Sequence, residues 1–362
     1  MSMVPTERAE NVGFMQFMFK PTYSCNLACQ YCHVHKKRDE SHEIISFEMA
    51  KSLFDWILKY CQSKKINHVD ILWHGGEPLL TGPKLMTSIL DYYNELFKNN
   101  NIVCSSSIQT NLLLINDSFV PIIKKYFNNT IGFSFDYKSN DRCYRNGADA
   151  SSDIWGKAIW AKKQNINVGA ITQLTNDNIN YIKDIYFLFR NAGISFKYSR
   201  IRDTEKYNTD LQDVSYINAL IQLFNLWIED ETQLITISNF REFIQMLITG
   251  NSTSCCYQNE CNILSFTNEG YIYFCDRSFG VGAVGDYRKS SINDVEQAVA
   301  KQIRSLDVNN TNCFNCEYFK VCKGGCMFNR ISGWYPHECN TTKSILKHID
   351  DFLKSQGYET IV

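Results

Sequence analysis

Val12-Gly13-Phe14-Met15-Gln16-Phe17-Met18-Phe19-Lys20 is followed, after four more residues, by Cys25-Asn26-Leu27-Ala28-Cys29-Gln30-Tyr31-Cys32. The first run has the length and apolar content of a strand, and the second sets three thiols within eight residues on the loop that leaves it. Working outward, the period changes to a helix over 46–61, with Ala50, Leu53, Phe54, Ile57, Leu58 and Cys61 at spacings of three and four. The same exchange then repeats. Strands are expected at 68–73, 102–109, 130–135, 167–173 and 195–201, and helices at 83–98, 116–127, 153–165, 178–191 and 213–230. Strict alternation of this kind implies an α/β fold with a parallel sheet and right-handed crossovers. Six units make either an open doubly wound sheet or a partial (β/α)6 barrel of TIM type. In both, the reactive loops lie at the carboxyl ends of the strands.

That rule gathers the polar residues. The three-cysteine loop follows the first strand, and His74-Gly75-Gly76-Glu77-Pro78 follows the second. Gln109-Thr110-Asn111 ends the third, and Ser134 and Asp136 end the fourth. Composition narrows the class further. The 362 residues carry 37 basic and 38 acidic side chains, so no polyanion is favoured as partner and nucleic acid is not expected. An apolar share of 44% with only 6 prolines excludes a disordered or fibrous chain. No apolar stretch approaches the roughly 18–20 residues that span a bilayer, and Met1 to Asn11 has no signal core, so a soluble, cytoplasmic protein without membrane partners is expected. In a reducing compartment 15 cysteines point to metal and not to disulfides.

The cysteines fall into two regions separated by a scaffold in which, from 75 to 254, only Cys104 and Cys143 occur. A closed zinc or cluster site takes four protein ligands, so Cys25, Cys29 and Cys32 leave one position open unless His33 or His35 closes it around zinc. The second region reads Cys255-x5-Cys261, then Cys275 after a short hairpin at 270–274, then Cys313-x2-Cys316-x5-Cys322-x3-Cys326, and last Cys339. Eight thiolates suffice for two closed four-iron clusters, or for two zinc sites. Cys256 competes with Cys255, which preserves the five-residue gap. Cys61 and Cys104 read as small hydrophobes, and Cys143 as an ordinary thiol near the rim.

The segment Cys25 to Cys32, with an aromatic residue just before its last cysteine, resembles the signature of radical S-adenosylmethionine (radical SAM) enzymes. The resemblance implies that the open iron chelates the cofactor's methionine moiety and that reductive cleavage releases a 5'-deoxyadenosyl radical. It assigns Tyr31, Gly75, Gly76 and Glu77 to cofactor binding. The glycines let backbone approach the ligand, and Glu77 accepts from its ammonium. Ser134 and Arg145 are then expected at its carboxylate or ribose. The second region, with Lys323-Gly324-Gly325-Cys326 inside it, resembles the SPASM domain of peptide-modifying radical enzymes. Carried over, Cys255, Cys261, Cys275 and Cys326 hold one auxiliary cluster and Cys313, Cys316, Cys322 and Cys339 the other. The expected cofactors are therefore three [4Fe-4S] clusters and S-adenosylmethionine. The expected division is an N-terminal extension 1–11, a radical SAM core 12–210, a helical linker 211–251, a SPASM domain 252–340 and a C-terminal helix 341–362.

Closed clusters do not bind substrate, so they read as an electron route out of an oxidised peptide. The chain also resembles anaerobic sulfatase-maturating enzymes, in which an aspartate at the position of Asp276 is the proposed catalytic base. A raised pKa beside a cluster would suit that task, and pairing with Arg277 or a turn cap is the structural alternative. Trp73 to Leu80, however, looks more like maturases of ribosomal peptides that join an aromatic ring to a nearby side-chain carbon, since sulfatase maturases usually carry glutamine at His74 and threonine at Leu79. The expected function is thus an oxidoreductase that crosslinks a peptide, with Ser/Cys oxidation to formylglycine as the alternative and a non-catalytic zinc protein as a third. Tyr257, Tyr271, Tyr273, Phe274 and Phe279 line a peptide groove or fill core. No winged peptide-recognition domain fits before the first strand, so any leader peptide is expected on the barrel, the SPASM region or a separate protein. The other expected partner is an electron donor such as flavodoxin or ferredoxin.

Overall fold

In the computed structural model, which describes residues 13–40, 42–201, 211–257, 261–278, 281–305, 313, 315–326, 328–329 and 335–362, the strands alternate in burial. β1 (Phe14–Lys20) buries Met15, Phe17 and Phe19, and β2 (His68–Trp73) buries Val69, Ile71 and Trp73. Successive side chains of a strand point to opposite faces, so these residues form one apolar face, which the helices cover. The intervening residues, Gln16 on β1 and Asp70 on β2, face the concave side, where Gln16 Nε2 donates to Asp70 at 2.9 Å. β3 (Val103–Thr110), β4 (Thr130–Ser134), β5 (Asn167–Leu174) and β6 (Ser195–Arg200) continue the parallel sheet in sequential order. Sequential neighbours curve as a barrel wall, whereas a doubly wound sheet reverses its order. The partial barrel is therefore the observed solution.

The helices are α1 (His35–Glu40), α2 (Phe47–Lys64), α3 (Pro83–Asn99), α4 (Val120–Tyr126), α5 (Ser151–Lys163), α6 (Ile182–Ala192), α7 (Asp213–Ile228) and α8 (Ser238–Thr249). α2 shows why such segments fold. Ser46 caps it by accepting from Met49 N at 3.1 Å, Lys65 ends it in the left-handed region, and Ala50, Leu53, Phe54, Ile57 and Cys61 are buried. Each large apolar side chain so covered contributes about 1.5–3 kcal/mol. α4 is shorter than the expected 116–127, because Asn116 turns the chain by accepting from Ser118 N at 3.0 Å before the helix begins.

The remaining elements are β7 (Ile263–Thr267), β8 (Tyr271–Tyr273), β9 (Gly285–Asp286), α9 (Ile292–Ser305), α10 (Phe319–Cys322) and α11 (Tyr335–Ser355). Their placement was not anticipated. β7 pairs in parallel with β1 on the edge opposite β2, in the register Phe17 to Leu264, and β8 and β9 extend it antiparallel. One nine-stranded sheet results, in the order β6-β5-β4-β3-β2-β1-β7-β8-β9. The hairpin expected inside a separate module is thus hydrogen-bonded to the barrel, and it occupies the edge that would otherwise close onto β6. α11 starts at Tyr335, ahead of the expected 341, and packs on α7 and α8. Cys339 consequently lies on a helix.

Candidate active site

The loop after β1 is clasped from two sides. On one, the turn after β2 lies against it: Gly76 N donates to Thr22 O at 2.9 Å and Glu77 N to Ser24 O at 2.8 Å. A Cβ on Gly75, which has φ +123°, would stand 2.4 Å from Thr22 O, and one on Gly76 would stand 2.1 Å from Ser24 O. The backbone that these glycines admit is therefore the cysteine loop itself. Glu77 is fully buried. Its carboxylate accepts from Leu79 N at 2.9 Å, Thr110 Oγ1 at 2.6 Å and Asn111 N at 2.8 Å, which ties the β2 turn to the end of β3. Burial raises its pKa, against the pull of those three donors.

On the other side, the loop after β4 runs antiparallel to the cysteines. Ala28 N donates to Cys143 O and Gln30 N to Asp141 O, both at 2.8 Å. Arg145 reaches Cys25 O at 3.0 Å through Nη2, and Ser134 accepts from Gln109 Nε2 at 2.9 Å. The expected residues Tyr31, Ser134 and Arg145 thus share this rim with Cys25, Cys29 and Cys32. Sequence reading passed over Arg142, three positions from Arg145. It is buried, donates from Nε to Asp136 Oδ2 at 3.0 Å and from Nη1 to Cys29 Sγ at 3.8 Å, and bonds Tyr31 Oη through Nη2. Asn111 Nδ2 stands 3.7 Å from Cys25 Sγ. Burial pushes the Cys25 thiol up to about 12 and raises Cys29 and Cys32 as well.

At the carboxyl end of β1 four ionisable groups meet. Asp276, three residues past the end of β8, forms an ion pair with buried Lys20, while His33 Nε2 lies 3.0 Å from its other oxygen. Burial alone would raise the Asp276 carboxyl, but Lys20, His33 and His74 outweigh it and hold it well below the usual carboxylate range. The expected raised pKa is therefore reversed, and the partner is Lys20, not Arg277. Arg277 instead donates to Asn329 Oδ1 at 3.3 Å and bonds Cys326. His74 accepts from Gly75 N at 2.8 Å through Nδ1, and burial lowers its pKa from 6.5 to about 4. Lys20 carries no motif and His33 stands out only as a candidate zinc ligand, so only the β1–β7 pairing brings them to Asp276.

Beyond Asp276 the C-terminal cysteines gather in two groups. Cys275 has Cys261 as a charge neighbour, Cys326 has Cys256 and Cys275, and Cys322 has Cys313, Cys316 and Cys339. A cavity of about 510 Å³ is lined by Cys256, Cys313, Cys316, Cys322, Cys326 and Cys339. Burial pushes the Cys275 thiol up to about 12 and Cys322 to about 11. The side chain of Cys255 and all of Phe279 lie outside the described residues. Of the other aromatics, Tyr273 and Phe274 are buried in the core, Tyr257 is half-buried and Tyr271 is exposed. Among the described residues no three His, Cys, Asp or Glu side chains converge closely enough to hold a single ion. An all-thiol donor set suits a four-iron cluster, and four thiolates suit a structural zinc as well.

Among the described residues no helix is long and apolar enough to cross a membrane. Residues 19–189 match the radical SAM superfamily. The chain is 25% identical over 339 residues to the cysteine-type anaerobic sulfatase-maturating enzyme of Clostridium perfringens (strain 13 / Type A), which covers 86% of this chain and 88% of that one. It is 21% identical over 337 residues to the serine-type enzyme of Klebsiella pneumoniae, covering 86% and 83%. The solved structure of native anSMEcpe with bound AdoMet and Cp18Cys peptide superposes with a TM-score of 0.79 at 23% identity, over 94% of this chain and 98% of that one. Streptococcus suis SuiB bound to precursor peptide SuiA gives 0.64 at 17% identity, over 89% and 74%. The superpositions establish the shared fold, and residues 19–189, with the strands and loops that carry Cys25, Cys29, Glu77 and Arg142, form a radical SAM domain in a chain that is similar along most of its length to anaerobic sulfatase-maturating enzymes.

Proposed function

We propose that this enzyme oxidises a side chain of a ribosomally made peptide by two electrons and that the product is a crosslink between an aromatic ring and a neighbouring carbon. Membership of the superfamily brings a four-iron cluster and S-adenosylmethionine, which together supply a 5'-deoxyadenosyl radical for hydrogen abstraction. Cys25, Cys29 and Cys32 would hold that cluster, with Tyr31, Gly75, Gly76, Glu77, Ser134 and Arg145 around the cofactor. Two auxiliary clusters would be held by Cys255 or Cys256 with Cys261, Cys275 and Cys326, and by Cys313, Cys316, Cys322 and Cys339. The thiol of Cys256 bonds Cys326, while the side chain of Cys255 lies outside the described residues. A flavodoxin or ferredoxin would supply the electron.

Asp276 is the group placed to take the substrate proton. Lys20 pairs with one carboxylate oxygen and His33 bonds the other. A carboxylate held this acidic is a weak base, suited to a proton that the adjacent radical has already made acidic. The observation that carries the crosslinking reading is His74, a neutral imidazole in the ionic cluster around Asp276, at a position where sulfatase maturases usually carry glutamine. The 25% identity to a cysteine-type sulfatase maturase over most of both chains favours formylglycine formation as the second reading.

Mass spectrometry separates them. A short peptide encoded beside the gene is co-expressed anaerobically with the enzyme and challenged with an aldehyde-reactive hydrazide. The expected result is loss of two hydrogens, no adduct, and fragmentation blocked between two residues. A hydrazide adduct at a serine or cysteine would establish the formylglycine reaction instead.

A further inference from the structure

Arg142 has every corner of its guanidinium fork engaged. Nε donates to Asp136 Oδ2 at 3.0 Å, Nη2 bonds Tyr31 Oη, and Nη1 points at Cys29 Sγ from 3.8 Å. The group also lies 5.6 Å from the centre of the Tyr31 ring. Asp136, fully buried at the end of β4, is itself fixed: Gln173 N on β5 donates to Oδ1 at 2.7 Å, and Tyr31 Oη bonds Oδ2. A cation with three directional anchors cannot swing away from the sulfur it faces. Neither the proton-accepting group nor the peptide crosslink requires it there.

We propose that Arg142 sets the reduction potential of the cluster held by Cys25, Cys29 and Cys32 by donating to the Cys29 sulfur, with Tyr31 and Asp136 as its positioning residues. The inference rests on the assignment of that cluster. The potential of an iron–sulfur cluster depends on its net charge and on hydrogen bonds to its sulfurs, and a nearby cation favours the more negative, reduced form. Asp136 opposes this, being an anion, but it sits behind the guanidinium while Nη1 faces the sulfur. The net effect is a raised potential, which eases electron entry before cofactor cleavage.

The test is an anaerobic redox titration of the reconstituted enzyme, followed by electron paramagnetic resonance on the signal that changes when S-adenosylmethionine is added. In Arg142→Gln the reduced-to-oxidised ratio at a fixed potential should fall about tenfold, which is ~59 mV for one electron. Arg142→Lys and Tyr31→Phe should shift it in the same direction by less. An unchanged potential in Arg142→Gln, or in Arg142→Lys where the glutamine variant loses its iron, would overturn the inference. Wild-type protein carrying 15N-arginine gives an independent reading, since a guanidinium nitrogen coupling to the same signal is expected and its absence would overturn the inference equally. Wild type with iron but no signal responsive to S-adenosylmethionine would sink the cluster assignment and the inference together.

Discussion

At His74 the imidazole stays neutral well below its ordinary range, and this links folding to pH. In the unfolded chain a histidine takes up its proton near 6.5, whereas burial postpones that to about 4 in the folded protein. Its contribution to stability is therefore complete above about 6.5 and is withdrawn as pH falls towards 4. The unfolding free energy of wild type from urea titration, measured anaerobically, should drop across that window relative to His74→Gln by an amount on the order of a few kcal/mol; parallel profiles would remove the effect. His74 and Asp276 were legible because each directly follows a strand or a cysteine, and Glu77 because it closes the Gly75-Gly76 turn after β2. Lys20 and Arg142 were not. Lys20 meets its partner 256 positions away, and a lysine ending a strand looks solvated until β7 is paired beside it. The same distance explains the reversed Asp276 pKa, since its counter-charges belong to another part of the chain. Arg142 and Arg145 share one loop, and only the antiparallel pairing of 141–144 with 27–30 decides which of them turns inward.

The turn after β2 and the loop after β1 act as one element, because their backbones touch. In Gly76→Ala the new methyl would stand 2.1 Å from Ser24 O and 2.2 Å from Tyr23 O, and neither carbonyl can retreat without moving Cys25. Overpacking of this kind costs about 1–3 kcal/mol. The expected outcome is a lower Tm together with iron lost from the three-cysteine loop, read by iron analysis and by 5'-deoxyadenosine yield. Unchanged values for both would show that the loop yields. Strand positions were readable to within a residue or two, since a period of two against 3.6 survives in the sequence; β2 falls on its expected span. Element ends were less readable where a local cap decides them, as Asn116 does ahead of α4. The C-terminal quarter was readable as ligands but not as elements, because cysteine spacing says which thiols group and nothing of which strand the hairpin joins.

Across the whole molecule, the β7 hairpin is part of the barrel wall and not an appendage. Phe266 packs on Phe17 and on Trp56 of α2, and Tyr60 of α2 donates to Glu296 of α9 at 2.8 Å. A chain ending after residue 251 should therefore leave β1 with an unpaired edge and a bare aromatic face, and should aggregate. A monomeric, cooperatively folding product in sedimentation and urea unfolding would show that the radical domain is self-sufficient. The same pairing sets a schedule for biosynthesis. β1 leaves the ribosome first among the strands, yet its second neighbour, in the register Phe17 to Leu264, emerges almost 250 residues later. At 5–20 residues per second that is a wait of roughly 10–50 s. Throughout it the nascent chain displays a parallel-sheet edge next to its cysteine loop, so the yield of folded enzyme depends on how crowded and how fast translation is, and slow growth at low temperature favours β7 over a neighbouring chain as the partner of β1.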